Sequence, residues 1–168
     1  SMILEEKNYA WIDIFDFFAG ELHLFYFPEE MDSFFWVSDR DEYSHVYQYD
    51  YEGNVLGQLT SGEYDVVAVK AIDPAKKTLY YLSCEAGPME RNLFSVKFSG
   101  KGKKQLTTAE GNHRVNVAPE GRYFIDSYSS TTTPSSIDLC DDKGQVIKNL
   151  AGHQGALDHL EKYEYAPK

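Results

Sequence analysis

Three stretches of this chain can be laid over one another at a spacing of about 45 residues, and no other feature constrains the fold so tightly. Phe34-Phe35-Trp36-Val37-Ser38 matches Leu79-Tyr80-Tyr81-Leu82-Ser83, 45 residues on, and Arg122-Tyr123-Phe124-Ile125-Asp126-Ser127 follows after a further 44. Gly57-Gln58-Leu59-Thr60 matches Lys104-Gln105-Leu106-Thr107 at 47, and Asp73-Pro74-Ala75-Lys76-Lys77 matches Ala118-Pro119-Glu120-Gly121-Arg122 at 45. The markers keep their order each time, which chance similarity of short strings rarely does.

Each unit reads as short strands joined by turns. Val46 to Tyr51 alternates as a strand with one buried face, Glu52-Gly53-Asn54 turns, and Val55 to Leu59 returns. Val66 to Ile72 is a continuous apolar run, as expected of a strand covered on both faces, and Asp73-Pro74 ends it before Thr78 to Leu82. The second unit repeats this with Leu93 to Phe98 and Gln105 to Thr107, the third with Ser136 to Cys140 and Gln145 to Ile147. Four short strands in 40 to 50 residues make a β-propeller blade. A helical repeat of that length would place apolar residues every three or four positions, and none of these segments does. The expected fold is all-β, a partial β-propeller of about three four-stranded antiparallel blades.

The units run over 34–78, 79–122 and 123–156 of a single propeller piece, after an irregular lead of 1–33 and before a tail of 157–168. The lead holds two strand-like stretches, 8–15 and 22–27. The tail opens on a short helical turn near 155–160. Three units do not close a ring, which takes four to eight blades, so the chain is expected to be part of something larger. Composition agrees with a sheet protein: aromatic residues are 15%, among them 13 Tyr and 10 Phe, and such rings suit a pleated, half-buried surface. The net charge of −11 excludes a nucleic-acid partner, which needs clustered Lys and Arg. Lys101, Lys103 and Lys104, the densest basic group, read as a solvated turn. No apolar run is long enough to span a membrane, and Ser1-Met2 reads as a cloning remnant with no signal-like segment after it. Cys84 and Cys140 are too few for a disulfide framework. One bridge between them stays open beside two unrelated thiols.

With these residues in view, the chain resembles the dipeptidyl peptidase IV-like serine peptidases. Phe35 to Tyr47 is similar to the family's blade-opening segment, which runs aromatic, hydroxyl, acidic, then glycine-tyrosine ahead of a histidine; here Glu42 stands where glycine is usual. Gly57 to Val66, Leu79 to Ser83 with Met89 to Phe94, and Gln105-Leu106-Thr107 through Ala118-Pro119-Glu120-Gly121 continue in family order. The resemblance covers residues 34–150 and, less fully, the lead. It implies the last blades of an eight-bladed propeller just upstream of an α/β-hydrolase domain. The implied role is non-catalytic: shaping and gating peptide access to that domain, in an enzyme that releases Xaa-Pro and Xaa-Ala dipeptides from amino termini. It also implies a periplasmic or cell-surface location.

The family nucleophile, a glycine-framed serine elbow, has no counterpart in this chain; Ser129-Ser130-Thr131-Thr132-Thr133 is hydroxyl-rich but lacks the glycine turn. The adjacent acids Glu5-Glu6 and Glu29-Glu30 do not sit in surroundings like those of the family's substrate-binding glutamates, and that role is not transferred to them. His23, His45, His113, His153 and His159 show no metal-ligand spacing. His45 reads as a packed structural residue, and His113-Arg114 as structural or solvated. Asp39, Asp41 and Glu42 with Glu29, Glu30 and Asp32 read as a solvated blade edge, because Arg40 interrupts any calcium loop. Tyr47, Tyr49 and Tyr51 read as packing between blades, with a sugar-binding stripe as the less economical alternative. No catalytic, cofactor-binding or metal-ligating residue is therefore assigned, and no cofactor is expected. The expected partners are the parent's own hydrolase domain, its peptide substrates, and further copies of the chain through exposed blade faces. The alternative function is a stand-alone propeller-like module that binds a peptide or glycan.

Overall fold

The computed structural model describes residues 2–7, 12 and 24–160. Among the described residues twelve strands form three four-stranded antiparallel sheets, each a meander of sequence neighbours. Blade 1 comprises β1 (Phe25–Tyr26), β2 (Ser33–Ser38), β3 (His45–Asp50) and β4 (Val55–Gln58). Blade 2 comprises β5 (Val66–Asp73), β6 (Thr78–Ser83), β7 (Asn92–Lys97) and β8 (Lys104–Gln105). Blade 3 comprises β9 (Asn112–Val117), β10 (Tyr123–Ser129), β11 (Ser136–Asp141) and β12 (Val146–Ala151), and α1 (Gln154–Leu160) follows. The helix falls where the sequence predicts a helical turn. Of the two lead strands, the stretch 8–15 lies outside the described residues except for Ile12, and the second is present as the two residues of β1. The repeat units open on the second strand of each sheet, at Phe34, Leu79 and Tyr123, so the second and third sheets each straddle two units and the first takes β1 from the lead.

Alternation along the strands sets which blade each side chain meets. On β6, Leu79 and Tyr81 pack toward blade 1 with Phe35, Val37, Val46 and Leu59, while Tyr80 and Leu82 pack toward blade 3 with Val115, Phe124 and Cys140. Every residue of β6 is buried for that reason. At the ends only one face is covered. Phe124 and Asp126 of β10 are buried, whereas Tyr123 is 52% exposed and Ile125 38%.

The three-to-four turns recur with one backbone geometry. Gly53, Gly100 and Gly144 adopt φ of 88°, 72° and 84°, the left-handed region in which a side chain is strained. Gly100 and Gly144 also lie hard against the end of the previous blade's outer strand. A Cβ on Gly100 would lie 2.8 Å from the Gln58 carbonyl, and one on Gly144 2.1 Å from that of Leu106. On Gly53 it would meet the Ile3 carbonyl at 2.3 Å. Residues 2–7 thus take, beside blade 1, the place that an outer strand takes at the other two seams.

Backbone hydrogen bonds knit the blades with the same 47-residue spacing. Val66 N–H donates to the Ser44 carbonyl at 2.8 Å, and His113 N–H to the Arg91 carbonyl at 3.0 Å. Within blades 1 and 2, at the same spacing, Leu59 and Leu106 N–H extend the outer ladder by donating to the carbonyls of Val46 and Leu93 at 2.8 and 2.7 Å.

Candidate functional site

The two-to-three loops and the links between blades gather at one rim, which carries most of the buried polar side chains. The repeated Gln-Leu-Thr has its structural reason here. Thr60 Oγ1 accepts the Val46 N–H and Thr107 Oγ1 accepts the Leu93 N–H, both at 2.9 Å, so each hydroxyl satisfies a backbone donor just inside the third strand. Beside them stand His45 and Asn92, again 47 apart; His45 Nδ1 lies 3.1 Å from Thr60 Oγ1, and Thr107 Oγ1 donates to Asn92 Oδ1 at 3.1 Å.

His45 and His113 are both 1% exposed, and neither has a ring nitrogen free for catalysis. His45 Nε2 donates to the Gly62 carbonyl at 3.0 Å, and Nδ1 faces the Thr60 hydroxyl, so both ring nitrogens are occupied. His113 faces acceptors on both sides: the Asp126 carboxylate at 2.8 and 2.9 Å from Nδ1, and the Ala109 carbonyl at 2.8 Å from Nε2. Both nitrogens must donate, which makes the ring an imidazolium. Burial opposes that charge, but the Asp126 and Ala109 hydrogen bonds outweigh it and hold the pKa above the ordinary histidine value. A serine triad leaves Nε2 open to a hydroxyl; the Ala109 carbonyl occupies that position, so the His113–Asp126 pair works as a seal.

The other candidates disperse. Glu42 N–H donates to the Asp39 carbonyl in a tight turn. Burial raises the pKa of Asp41, but hydrogen bonds from Tyr47 Oη at 2.5 Å and Gln58 Nε2 at 2.9 Å more than offset that and leave it lowered. Tyr47 and Tyr49 are buried against Phe34, and Tyr51 is exposed and stacked at 6.0 Å from the Phe34 ring. Ser130 Oγ accepts from the Thr132 and Thr133 N–H groups and closes its own loop. Glu5 pairs with Lys7 at 3.0 Å, whereas Glu6 turns inward to Trp36, Ser38 and Arg40. Cys84 and Cys140 are both free, and burial with Asp126 and Asp138 nearby pushes the Cys140 thiol up to about 11. His23 lies outside the described residues. Among the described residues no three His, Cys, Asp or Glu side chains are placed to hold a metal, and no helix is long and apolar enough to cross a membrane.

The strands nearest the common axis leave a different surface. β5 and β9 touch across the blades. Between β1 and β5 lies a groove of about 410 Å³ lined by Phe25, Phe27, Val69, Ala71 and Ile72, with Lys70 beside them. Apolar walls with one cationic side chain suit contact with a chain of mixed character better than they suit chemistry.

Three meander sheets packed face to face round a common axis define a β-propeller segment whose buried rim groups are hydrogen-bonded within the blades and to the links that follow or precede them. Comparison with known proteins sharpens that class. Residues 1–135 match the family described as the dipeptidyl peptidase IV (DPP IV) N-terminal region, and the chain belongs to that family. It is 26% identical over 131 residues to a probable dipeptidyl peptidase 4 of Trichophyton verrucosum (strain HKI 0517) and to the dipeptidyl peptidase 4 of Trichophyton rubrum; each match covers 76% of this chain and 17% of the relative. The chain therefore spans about a sixth of the length of the curated relatives it matches. The crystal structure of Porphyromonas gingivalis dipeptidyl peptidase 4 superposes with a TM-score of 0.85 and 28% identity, covering 98% of this chain and 22% of that one.

Proposed function

We propose that this chain is a non-catalytic propeller segment of a dipeptidyl peptidase IV-like serine exopeptidase, and that it shapes and gates peptide access to an α/β-hydrolase domain encoded further along the parent. The observation that carries this reading is the superposition of nearly the whole chain on about a fifth of a dipeptidyl peptidase 4. The commitment of His45 and His113 to carbonyl acceptors supports it, because neither can activate a nucleophile. On this reading residues 1–168 are one propeller piece of a ring of about eight blades, without catalytic, cofactor or metal residues. Ser-His-Asp acyl transfer on Xaa-Pro and Xaa-Ala amino termini is left to the hydrolase domain. The parent acts in the periplasm or at the cell surface. Its partners are that domain and peptide substrates, not nucleic acid.

The test compares the full-length parent with the 168-residue chain on a Gly-Pro reporter peptide. The parent cleaves and the chain alone does not. Cleavage by the chain alone, or a downstream coding sequence with no glycine-framed serine elbow, overturns the assignment. Isolated, the chain self-associates through its uncovered faces, where Tyr123, Ile125, Phe25 and Phe27 are exposed. Light scattering then reports a dimer or larger species, and a strict monomer at high concentration contradicts this.

A further inference from the structure

Trp36, Ser38 and Arg40 sit at alternate positions of β2 and its extension, and so share the face of blade 1 that looks away from blade 2. Their polar groups converge on one carboxylate. Trp36 Nε1–H donates to Glu6 Oε2 at 2.8 Å, Ser38 Oγ–H donates to Glu6 Oε1, and the Arg40 guanidinium pairs with Oε1 at 3.2 Å. The Glu6 side chain is only 11% exposed. Ser38 is committed to donating, because its lone pairs already receive the Arg40 backbone N–H at 3.2 Å and Nε–H at 2.8 Å. Arg40 is held in turn by the Tyr47 ring, whose centroid lies 4.3 Å from the guanidinium carbon. An indole N–H and a guanidinium offer donors and no acceptor. With the hydroxyl proton also aimed inward, the set is built for an anion with two oxygens.

The repeat supplies an internal control. Blade 2 carries Tyr81, Ser83 and Glu85 at the positions of Trp36, Ser38 and Arg40. Ser83 Oγ still accepts the N–H two residues on, at 3.0 Å, but Glu85 is an acid and pairs with Lys103. The loop geometry belongs to the blade; the carboxylate-binding chemistry belongs to blade 1 alone of these two. We propose that Trp36, Ser38 and Arg40 form a carboxylate receptor, and that Glu6 of the same chain is its resident ligand, locking residues 2–7 onto the sheet where Leu4 covers Phe34 and Tyr49. This lock does not depend on the peptidase reading.

The experiment empties the receptor in the 168-residue chain with Glu6→Ala and offers it formate. Exchange of the Trp36 indole N–H, which donates to Glu6, rises about tenfold in the variant, the scale expected for a lost hydrogen bond to a charged group. Sodium formate, but not sodium chloride of equal ionic strength, restores protection and the thermal midpoint with saturation, and adding Arg40→Met abolishes the rescue. Protection in Glu6→Ala equal to that of the parent chain, or formate acting no better than chloride, overturns the proposal. Should Glu6→Ala fail to fold, Glu6→Gln, Arg40→Met and their combination decide. A receptor predicts that the second substitution adds little to the first, and simple additivity overturns it.

Discussion

The seam between blades 1 and 2 and the seam between blades 2 and 3 are built on one backbone plan and sealed by opposite chemistry. In the first, Val66 opens the inner strand, and the cross-strand pair Tyr81 and Phe94 stacks with ring centroids 5.7 Å apart. In the second, His113 stands where Val66 stands, 47 residues on, and the cross-strand pair is Asp126 and Asp138. The neighbouring pairs correspond too: Leu79 with Val96 in one sheet, Phe124 with Cys140 in the other. Two buried carboxylates face to face would repel. Here the His113 imidazolium holds Asp126, and the Asn149 side-chain amide donates to Asp138 at 2.7 Å. A fold that asks only for a filled seam accepts either solution, yet the two respond differently to mutation and pH. The first depends on volume, the second on charge balance.

The largest effect comes from unbalancing the second seam. Asp126→Ala leaves an imidazolium buried without its counter-ion, which costs on the order of 3–5 kcal/mol. Converting the pair toward the chemistry of the first seam, with His113→Val and Asp126→Leu together, is instead close to neutral or stabilising. Urea unfolding of the single and double variants checks this. A double variant as unstable as Asp126→Ala would mean that the charged pair is not interchangeable with apolar packing. In the first seam, Tyr81→Ala opens a cavity and costs about 3–5 kcal/mol with no rescue by a second charge change.

A smaller effect separates the seams by pH. The pKa of His113 is raised in the folded chain, so its contribution is complete below the unfolded value of about 6.5 and disappears as pH rises through the folded value. The stability of the unsubstituted chain should therefore fall, as pH rises above about 6.5, by more than that of the His113→Val, Asp126→Leu double variant. Equal pH slopes in the two proteins would remove the imidazolium from the account. Val66, Tyr81 and Phe94 place no acid or base that titrates in this range in the first seam.

The ordering of strands was open to inspection in the sequence because the repeat carries both the alternation and the turn glycines. Val66 to Ile72 reads as a strand covered on both faces; the strand is there, but only Val66, Ala68 and Val69 are fully buried, and its second half borders the groove beside β1. β9 is harder: Asn112-His113-Arg114-Val115-Asn116-Val117 alternates perfectly, with His113 and Val115 buried, but the pattern hides when histidine is counted among polar residues. The rim locks were half legible. Gln-Leu-Thr shows as a repeat, but that its hydroxyl caps a strand 14 residues earlier needs the fold. Glu6 was the least legible of all. Its partners lie 30 and 32 residues away, and the only local trace is the alternation of Trp36, Ser38 and Arg40.

The smallest effect tests the plan common to both seams, because it changes backbone strain without touching either seam. Glu42 adopts φ of 78° in the turn after β2, and Lys77 adopts 49° in the turn after β5. Both lie in the left-handed region, where a Cβ crowds the following carbonyl oxygen at a cost of roughly 1–2 kcal/mol. Glycine removes that strain but gives the unfolded chain more freedom to lose. Glu42→Gly and Lys77→Gly should each therefore gain only about 0.5–1 kcal/mol, additively because the turns belong to different blades. Glu42→Ala is the control: it keeps the Cβ and gains nothing. The Glu42 side chain is exposed, so its loss removes little else. Thermal unfolding of the three single variants and the double decides. If Glu42→Ala stabilises as much as Glu42→Gly, the gain comes from removing one carboxylate from an acidic rim rather than from backbone relief.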